Sequence, residues 1–322
     1  MSNIKISSLN NSVGLLIEHL DNGSSYDLDQ DEIFSLYKKH KAILFRGFNF
    51  DVDGFTTFSN QFIKDFSDYQ GGGSRWKSID REQINNDKTL MTATGSVQDF
   101  TIPLHGEMYY MQDPPELLYF YCLIPPKDGG QTTLCDGAKL FNALDDDTKE
   151  FFLSNQIKYI RYLPDGDWQK AFMTESFSEL EEFCEAKGLI VSLQDDKAVQ
   201  IEYTCDPVIY DEETQEPVFI NNMLYIYFAE ISFNQGEVKQ HLGDDAKFCP
   251  MVIRLADGSP IPYSYIEKVV TAADEITVKV SWNKGDVLMI DNHAVMHGRK
   301  KTTDMERKIL VRMGNPELKV QL

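Results

Sequence analysis

The 322-residue chain contains few cysteines and no long apolar run. Its 5 cysteines form no C-x-x-C pair, and their odd number indicates neither a zinc cluster nor a disulfide framework. No segment approaches the roughly 18 to 20 consecutive apolar residues that a membrane-spanning helix needs. The N-terminus also has no apolar signal-peptide core. We therefore expect a protein of the reducing cytoplasm, with neither export nor membrane insertion.

Basic residues are also scarce, because 31 lysines and arginines stand against 51 aspartates and glutamates, for a net charge of -20. Such a surface repels the phosphate backbone of nucleic acids and anionic lipid headgroups. Neither nucleic acid nor a membrane is therefore expected as a partner, and solubility is the simplest role of the charge. Nothing in these features predicts the oligomeric state.

The composition is that of a globular protein with a substantial core, since 42% of the residues are hydrophobic and 12% aromatic. No internal repeat or low-complexity segment divides the chain, so we expect a single domain over residues 1–322. The glycines of Tyr69-Gln70-Gly71-Gly72-Gly73 open a stretch without sustained periodicity. Because long loops in compact domains often cover binding sites, we predict a lid loop near residues 69–100, with a disordered surface excursion as the alternative.

Hydrophobic periodicity predicts a mixture of helices and strands. The run Leu117–Ile124 is apolar throughout and ends at Pro125-Pro126, which is typical of a strand buried on both faces at the centre of a sheet. Predicted helices cover residues 32–40, 53–66, 141–144, 149–153, 177–186 and 265–273. Predicted strands cover residues 42–48, 157–162, 199–203, 217–220, 276–282, 287–290 and 309–313.

The second half of the chain favours a β-rich core. The turn residues Asn283-Lys284-Gly285-Asp286 are expected to join the strands at 276–282 and 287–290. Helices and strands do not alternate one by one, as they would in a doubly wound parallel sheet. The predicted fold class is therefore mixed α+β, a β-sandwich or barrel with helices outside it.

One triplet and one distant histidine are placed as metal ligands would be. His105-Gly106-Glu107 brings an imidazole and a carboxylate two residues apart, and on an extended backbone both side chains would face the same way. His297 follows the apolar pair Val295-Met296 and precedes Gly298, as at a strand end. Two imidazoles and one carboxylate can hold one face of iron(II) and leave the opposite face open.

His293 competes for the role of the distal ligand, four residues before His297. On a helix this pair would mimic a zinc-protease motif, but Ala294 stands where that chemistry needs a glutamate base. We therefore interpret His293 as a structural residue near the site. A lone His-x-Glu is weak evidence, because these residues fall two apart by chance in many proteins.

The order of several sequence blocks strengthens the metal-site interpretation. The blocks are residues 42–48 (AILFRGF), 101–108 (TIPLHGEM), 125–132 (PPKDGGQT) and 285–299 (GDVLMIDNHAVMHGR). In this order the chain resembles the iron(II)- and 2-oxoglutarate-dependent dioxygenases of the taurine dioxygenase and clavaminate synthase-like superfamily. The resemblance spans most of the chain, which makes a chance match of the triad a poor explanation.

The resemblance implies a double-stranded β-helix, or jelly-roll, core with surrounding helices. It implies iron(II) held by His105, Glu107 and His297, with 2-oxoglutarate and molecular oxygen as co-substrates. Thr132 stands where the family has a threonine or serine that binds the far carboxylate of 2-oxoglutarate, and a hydroxyl donor suits a buried carboxylate. A simple turn residue after Gly129-Gly130 is the alternative.

An arginine after the distal histidine is expected to pair with the same carboxylate, because a guanidinium binds a carboxylate bidentately and keeps its charge when buried. Arg307 comes slightly early and has charged neighbours, whereas Arg312 comes slightly late but interrupts the apolar strand 309–313. Since a charge in such a strand needs a partner, we favour Arg312 and keep Arg307 as the alternative. Either could instead meet the substrate, and Arg299 could be a surface residue.

The implied reaction couples decarboxylation of 2-oxoglutarate to succinate with removal of hydrogen from an unactivated carbon. Hydroxylation is the usual outcome, and desaturation or cyclisation begins with the same step. Halogenation is disfavoured, because halogenases of related fold replace the carboxylate at the position of Glu107 with a small residue. By the same resemblance, a small molecule, an amino acid or amino-acid-derived metabolite, is the expected substrate.

Two other functions remain open. A cupin-like metal enzyme would use the same ligands without 2-oxoglutarate, but it would need neither Thr132 nor a late arginine. A non-catalytic jelly-roll binding protein would be expected to lack part of the triad. Trp76, Gln98, Asn222 and Met108-Tyr109-Tyr110 are further pocket candidates, although packing explains each of them as well.

Overall fold

A computed structural model describes residues 3–10, 12–24, 28–72, 81–94, 99–236 and 249–316 of the chain. Its strands are β1 Ile4–Ser8, β2 Leu15–His19, β3 Ala42–Arg46, β4 Ile63–Phe66, β5 Gln83–Ile84, β6 Asp87–Thr92, β7 Ile102–His105, β8 Leu117–Ile124, β9 Thr132–Asp136, β10 Ile157–Leu163, β11 Ile190–Leu193, β12 Val199–Cys205, β13 Val208–Tyr210, β14 Pro217–Phe219, β15 Met251–Leu255, β16 Val278–Val280, β17 Val287–Asp291, β18 Val295–Arg299 and β19 Lys308–Pro316. Its helices are α1 Gln30–His40, α2 Val52–Ser59, α3 Gly137–Ala143, α4 Asp146–Ser154, α5 Asp167–Phe172, α6 Phe177–Ala186, α7 Met223–Asn234 and α8 Tyr263–Ile276.

The large sheet of the core joins its described strands in the order β1-β2-β3-β17-β8-β19-β6-β5, and β4 pairs with the free end of β19. β8 lies between β17 and β19 and is antiparallel to both. Its side chains alternate between two core clusters, with Tyr119 in one and Phe120 in the other. The prediction of a central strand buried on both faces is therefore confirmed.

A smaller sheet, in the order β16-β9-β18-β7, faces the large one. Phe120 from the large sheet and Leu134 and Val295 from the small sheet belong to one buried cluster between them. The chain passes from one sheet to the other between β8 and β9, β17 and β18, and β18 and β19. These two facing sheets form the predicted double-stranded β-helix core, and the expected jelly-roll fold with surrounding helices is confirmed.

Helices cover the outer face of the large sheet. α1 begins at Asp29, whose side chain accepts from the Glu32 backbone N–H, and α2 begins in the same way at Asp51. The phenylalanines that these helices bury belong to a second cluster with the outward side chains of β3 and β8. On the opposite side of the core, α7 packs against β7 and against β15 of a third sheet, β11-β12-β10-β15. Within the described ranges no helix has both the length and the apolar character to cross a bilayer.

Several predicted elements differ from the structure. The helix predicted over residues 53–66 ends at Ser59, and β4 follows it and pairs with β19. The helical spacing of apolar residues continues beyond Ser59, but the pairing of β4 with β19 makes this segment a strand. The two strands approach closely, since a Cβ at Gly314 would lie 2.2 Å from the Asp65 carbonyl oxygen. The helix predicted at 141–144 is the end of the longer α3.

The turn Asn283-Lys284-Gly285-Asp286 joins two strands as predicted, but these strands do not pair with each other. β16 is shorter than the predicted strand 276–282 and pairs with β9 in the small sheet, whereas β17 pairs with β3 and β8 in the large sheet. The turn therefore carries the chain between sheets and does not close a hairpin. The other predicted helices and strands are confirmed, with ends that differ by a few residues.

Candidate metal centre and pocket

Three side chains that can ligate a metal meet where β7 and β18 pair. His297 lies directly opposite His105, the last residue of β7, and the two imidazole centroids are 4.3 Å apart. Glu107 follows His105 by two residues. One donor atom from each of the three lies within 4.8 Å of the others, so the set can face a single divalent cation.

A β-bulge shapes the strand that carries His105. His297 pairs with His105 and Arg299 with Ile102, so three residue steps on β7 oppose two on β18. Residues three apart on a regular strand face opposite sides, yet Ile102 and His105 both line the pocket described below. The bulge therefore brings an apolar wall residue and a ligand to the same side.

Glu107 does not share an extended strand with His105, contrary to the sequence prediction. β7 ends at His105, and Gly106 leads into a turn that begins at Glu107. A Cβ at Gly106 would lie 2.5 Å from the ring of Tyr109, and the Gly106 N–H donates to the Asn221 carbonyl at 2.9 Å. Close packing of the turn, and not strand alternation, explains the glycine between the two ligands.

Asn292 holds the backbone of the carboxylate ligand. Its Oδ1 accepts from the Glu107 N–H at 2.7 Å, and its Nδ2 donates to the carbonyls of Glu107 at 3.0 Å and Pro115 at 2.7 Å. The side chain is fully buried. The neighbouring His293 lies outside the ligand set, and its N–H donates to Asp291 Oδ1 at 2.9 Å. The loop between β17 and β18 thus fixes Glu107, and its own histidine, His293, is not part of the ligand set.

The protonation of His105 suits a metal ligand. Its Nδ1 lies 2.9 Å from the Pro103 carbonyl oxygen. Because a carbonyl can only accept, Nδ1 carries the proton and Nε2 keeps its lone pair for a cation. Burial lowers the pKa of His105 to about 3, and His297 adds to this effect. The imidazole is therefore neutral at physiological pH, as ligation requires.

Glu107 is ionised although it is buried. Burial alone would raise the pKa of its carboxyl group, but Arg81, His297 and His105 together hold that pKa well below its usual range. Arg81 Nη2 donates to Glu107 Oε2 at 2.8 Å, and His297 Nε2 lies 3.7 Å from the same oxygen. One carboxylate anion beside two imidazoles is the donor set that non-haem iron(II) takes on a single face.

The triad lies in the wall of a pocket between the two sheets and α7. The large sheet contributes Phe120 and Ile309, and α7 contributes Tyr225, Ile226 and Ala229. These side chains make much of the lining apolar, which suits a small organic ligand. The charged residues among the described lining are Arg81, Glu107, Arg299 and Arg307.

Thr132 and two arginines form a polar wall of this pocket. Thr132 Oγ1 accepts from Trp282 Nε1 at 3.1 Å, and Arg299 lies opposite Thr132 in the β9–β18 pair. Arg307 Nε donates to the Gly130 carbonyl at 3.1 Å. Burial lowers the pKa of Arg307 to about 9, with a contribution from nearby Arg299, and burial lowers the pKa of Arg299 to about 10. Both guanidinium groups remain charged at neutral pH, and Arg299 is buried, not a surface residue.

Arg312 faces away from the pocket. It lies on the same side of β19 as Leu310 and opposite to Ile309, because alternate residues of a strand face opposite sides. Its Nη1 donates to Ser59 Oγ at 2.7 Å and Asn60 Oδ1 at 2.8 Å. Arg312, which the sequence favoured for the 2-oxoglutarate carboxylate, therefore does not line the pocket, and of these two arginines Arg307 does.

The other pocket candidates divide in three ways. Asn222 and Tyr110 line the pocket, and the buried Asn222 Oδ1 has no hydrogen-bond partner within the described part of the chain. Tyr109 packs behind the ligand turn and lines a separate cleft with His293. Trp76 and Gln98 lie outside the described residues, as do residues 73–80 and 95–98 of the predicted lid loop.

Sequence reasoning missed Arg81 and Tyr225. Arg81 belongs to the aperiodic stretch near residues 69–100, where an arginine is ordinarily a solvated surface residue. Tyr225 lies on α7, an apolar helix whose N-cap residue, Asn222, makes no side-chain cap hydrogen bond. Neither residue carries a sequence signal that separates it from ordinary loop or core positions.

The family model of the taurine catabolism dioxygenase TauD, TfdA family matches residues 7–313. The chain belongs to this family. The resemblance inferred from the ordered sequence blocks is thereby confirmed, and the protein is an iron(II)- and 2-oxoglutarate-dependent dioxygenase that uses molecular oxygen. Membership also weighs against the cupin-like and non-catalytic alternatives.

Two characterised sequences are similar to the dioxygenase over most of their length. A clavaminate synthase-like protein of Arabidopsis thaliana is 29% identical over 290 residues, which cover 86% of this chain and 82% of that protein. The dapdiamide synthesis protein DdaC of Enterobacter agglomerans is 25% identical over 305 residues, which cover 91% and 89%.

Solved structures agree with the fold of the dioxygenase. PvcB of Pseudomonas aeruginosa superposes with a TM-score of 0.58 at 15% identity, over 97% of this chain and 91% of that chain. A taurine dioxygenase of Burkholderia xenovorans gives a TM-score of 0.58 at 15% identity, over 98% and 89%. At such low identity these structures support the jelly-roll core alone.

Proposed function

We propose that the dioxygenase oxidises an unactivated carbon of a small amino acid or amino-acid-derived metabolite, with release of succinate and carbon dioxide. Hydroxylation is the proposed outcome, and desaturation would begin with the same loss of hydrogen. The observation that carries the proposal is the convergence of His105, Glu107 and His297 in one pocket with Thr132 and Arg307. We assign iron(II) to the three ligands and 2-oxoglutarate to the polar wall.

Thr132 and Arg307 would hold the far carboxylate of 2-oxoglutarate. The guanidinium of Arg307 is buried beside that of Arg299, and the two positive charges repel each other. A carboxylate bound between Thr132 and Arg307 would reduce this repulsion between the two arginines. A guanidinium also matches the planar geometry of a carboxylate through paired hydrogen bonds. This pairing orients the co-substrate, and the pocket wall keeps water from competing for the same donors.

Bound iron(II) would supply oxygen activation coupled to decarboxylation of 2-oxoglutarate. The protein contributes an ionised Glu107 and a neutral His105 whose proton stays on Nδ1, held by the Pro103 carbonyl. Asn292 fixes the turn that carries Glu107, so the carboxylate does not have to reorder when the cation binds. The apolar side chains of Phe120 and Ile226 exclude water from the face that the substrate approaches.

The names of two relatives support a metabolite as substrate. The Enterobacter agglomerans protein takes part in dapdiamide synthesis, and PvcB is described as an oxygenase from an isonitrile synthetic pathway. A pocket with one apolar wall and one strongly polar wall suits a compact metabolite better than a polymer. We also propose that residues 1–322 form a single dioxygenase domain. Its segment near 69–100 contributes Tyr69, Arg81 and Thr94 to the wall, and the part of this segment outside β5 and β6 is proposed to act as the lid.

Succinate formation tests the proposed function. Anaerobically purified protein would be mixed with iron(II), 2-oxoglutarate and candidate amino acids, and succinate and substrate mass would be followed after oxygen is admitted. Addition of one oxygen to the substrate indicates hydroxylation, whereas loss of two hydrogens indicates desaturation. His297→Ala should abolish iron(II) binding and succinate formation, and His293→Ala, four residues away, should retain both. Equal loss in the two variants, or no iron-dependent binding of 2-oxoglutarate by the unmodified protein, would contradict the assignment.

A further inference from the structure

Arg81 is a buried cation beside the metal site, and neither iron(II) nor 2-oxoglutarate binding, as proposed above, gives it a full role. Its side chain is 7% exposed, and its Nη2 donates to Glu107 Oε2 at 2.8 Å. The guanidinium carbon lies 4.1 Å from the centre of the Tyr69 ring, which fixes the plane of the group. Arg81 lines the same pocket as the metal ligands.

Two nitrogen atoms of this guanidinium have unused donors. Nε and Nη1 of Arg81 are buried and have no hydrogen-bond partner among the residues that the structure describes. A buried donor of a charged group that makes no hydrogen bond destabilises the folded state, so such a donor is normally satisfied by what binds beside it. Nε and one Nη nitrogen form the two-pronged edge that binds a carboxylate. The unused donors therefore call for an acceptor inside the pocket.

The charge of the pocket points in the same direction. Its described lining holds Arg81, Arg299 and Arg307 against the single carboxylate of Glu107. Three guanidinium groups and a divalent ion, set against Glu107 and the two carboxylates of 2-oxoglutarate, leave two positive charges in excess. This occurs in a chain of net charge -20, so the excess is a local property of the pocket. An anionic substrate would balance part of it.

Arg81 and Arg307 are placed to hold different carboxylates. Arg81 contacts Glu107 and Tyr69, whereas Arg307 contacts Gly130 and lies near Arg299. The pocket that both arginines line also has apolar side chains that suit a hydrocarbon body, among them Ala93, Ile226, Ala229 and Met251. 2-Oxoglutarate at Thr132 and Arg307 would thus leave the Arg81 end of the pocket for the second substrate.

We propose that Arg81 is a substrate-binding residue, and that the substrate oxidised by the dioxygenase carries a carboxylate anchored by an unused donor of Arg81, on one of the two edges that Nε and Nη1 each form with Nη2. This inference rests on the proposed function and extends it. The anchor would place the carboxylate beside the Glu107 ligand and leave the apolar body of the substrate to reach across the open face of the metal site. A neutral amide of the same skeleton would lose the ionic part of this contact, and a cationic ligand would be repelled.

Calorimetry on the iron(II)- and 2-oxoglutarate-loaded full-length protein, under anaerobic conditions, tests the anchor. The probes are two matched pairs, L-leucine with L-leucinamide and 4-methylpentanoate with 4-methylpentanamide. We expect each acid to bind at least about tenfold more tightly than its amide, since a hydrogen bond to a charged group contributes about 1.5 to 3 kcal/mol. In Arg81→Gln this preference should disappear, while the affinity for 2-oxoglutarate changes by less than about threefold, because Arg307 is intact.

Arg81→Lys is the second variant, because Arg81→Gln could lose acid binding merely by removing the ion pair with Glu107. Lysine keeps the positive charge and loses the two-pronged edge, so it should keep iron(II) binding and part of the acid preference. Amides that bind the unmodified protein as tightly as the acids, or no acid binding at millimolar concentration, would overturn the proposal. An acid preference that survives in Arg81→Gln would overturn it as well. If 2-oxoglutarate itself does not bind the unmodified protein, the proposed function fails, and that result is distinct from a loss confined to the acids.

Discussion

Arg307 and Arg312 offer a sharp test of the pocket, because they are two buried arginines five residues apart that face opposite sides of the large sheet. Arg307→Met removes one guanidinium from the pocket and keeps most of the apolar volume. Truncating one partner of a buried, hydrogen-bonded charge pair costs about 2 to 5 kcal/mol. The lower half of this range applies, because neighbouring Arg299 retains positive charge and its repulsion with Arg307 is removed. At about 2 to 3 kcal/mol, 2-oxoglutarate should bind roughly 30- to 150-fold more weakly.

Arg312→Met should instead weaken the fold. The substitution removes hydrogen bonds to Thr56, Ser59, Asn60 and Thr89 beneath α2, at 2.7 to 3.1 Å. Loss of a buried charge network of this kind costs about 3 kcal/mol, which lowers Tm by roughly 4 to 5 °C for a chain of this size. The affinity of the folded protein for 2-oxoglutarate should stay within about threefold of the unmodified value.

Anaerobic calorimetry with iron(II) and 2-oxoglutarate, together with thermal unfolding, measures both quantities on the same samples. Lys308→Met is the matched control, because Lys308 follows Arg307 directly, is partly exposed and pairs loosely with Glu82 at 3.8 Å. It should change neither quantity appreciably. A weaker affinity for 2-oxoglutarate in Arg312→Met with an unchanged affinity in Arg307→Met would refute the assignment of Arg307 to the pocket wall.

Three further outcomes follow from individual contacts. Thr132→Val should weaken 2-oxoglutarate binding about tenfold, because one hydroxyl donor is lost. Thr133→Val is the control and should leave this affinity unchanged, because the Thr133 side chain does not line the pocket. Equal effects of the two substitutions would argue against the polar wall. Asn292→Ala should lower the unfolding free energy by about 3 kcal/mol and weaken iron(II) binding, since two hydrogen bonds to the Glu107 backbone and one to the Pro115 carbonyl are lost. Asn155→Ala, at the partly exposed end of α4, serves as the control. Burial raises the pKa of Cys122 to about 12, so the thiol ionises at lower pH in the unfolded chain than in the folded protein. The unfolding free energy from urea titrations should therefore fall as the pH rises from about 9 towards 12. The same fall in Cys122→Ala as in the unmodified protein would contradict this expectation.

The sequence predicts the centre of the fold well because that centre is made of continuous signals. The β8 sequence is apolar over its whole length and is followed by a double proline. The strand in the structure covers this apolar run, ends just before the prolines and pairs within the large sheet. The meeting of His105, Glu107 and His297 at the candidate metal centre was likewise foreseeable, because the three residues lie within blocks that resemble the family in their order. Local composition and motif order are sufficient where each residue's role depends on its immediate neighbours.

The orientation of the arginines was not foreseeable in the same way. A fully buried strand shows no alternation of polar and apolar residues, so nothing in residues 309–313 indicates which face meets the pocket. The structure gives the inner face to Ile309 and the outer face to Arg312, and the predicted partner for a buried charge is therefore found on α2. Arg81 was missed for a related reason, since its burial depends on Tyr69 and Glu107, which only the tertiary fold brings to it.

The Asn292 contact also determines when the catalytic apparatus can exist during folding. It joins residues 185 positions apart, and the ligand pair His105 and His297 spans a similar separation, so no local fragment of the chain can assemble the iron site. The site forms only after β7 and β18 have closed the jelly roll, a step of high contact order. Iron(II) then binds the native state and not the unfolded chain, and at a concentration 100 times its Kd it would add about 2.7 kcal/mol to the unfolding free energy. Iron supply would thus act on the lifetime of the folded enzyme as well as on its turnover.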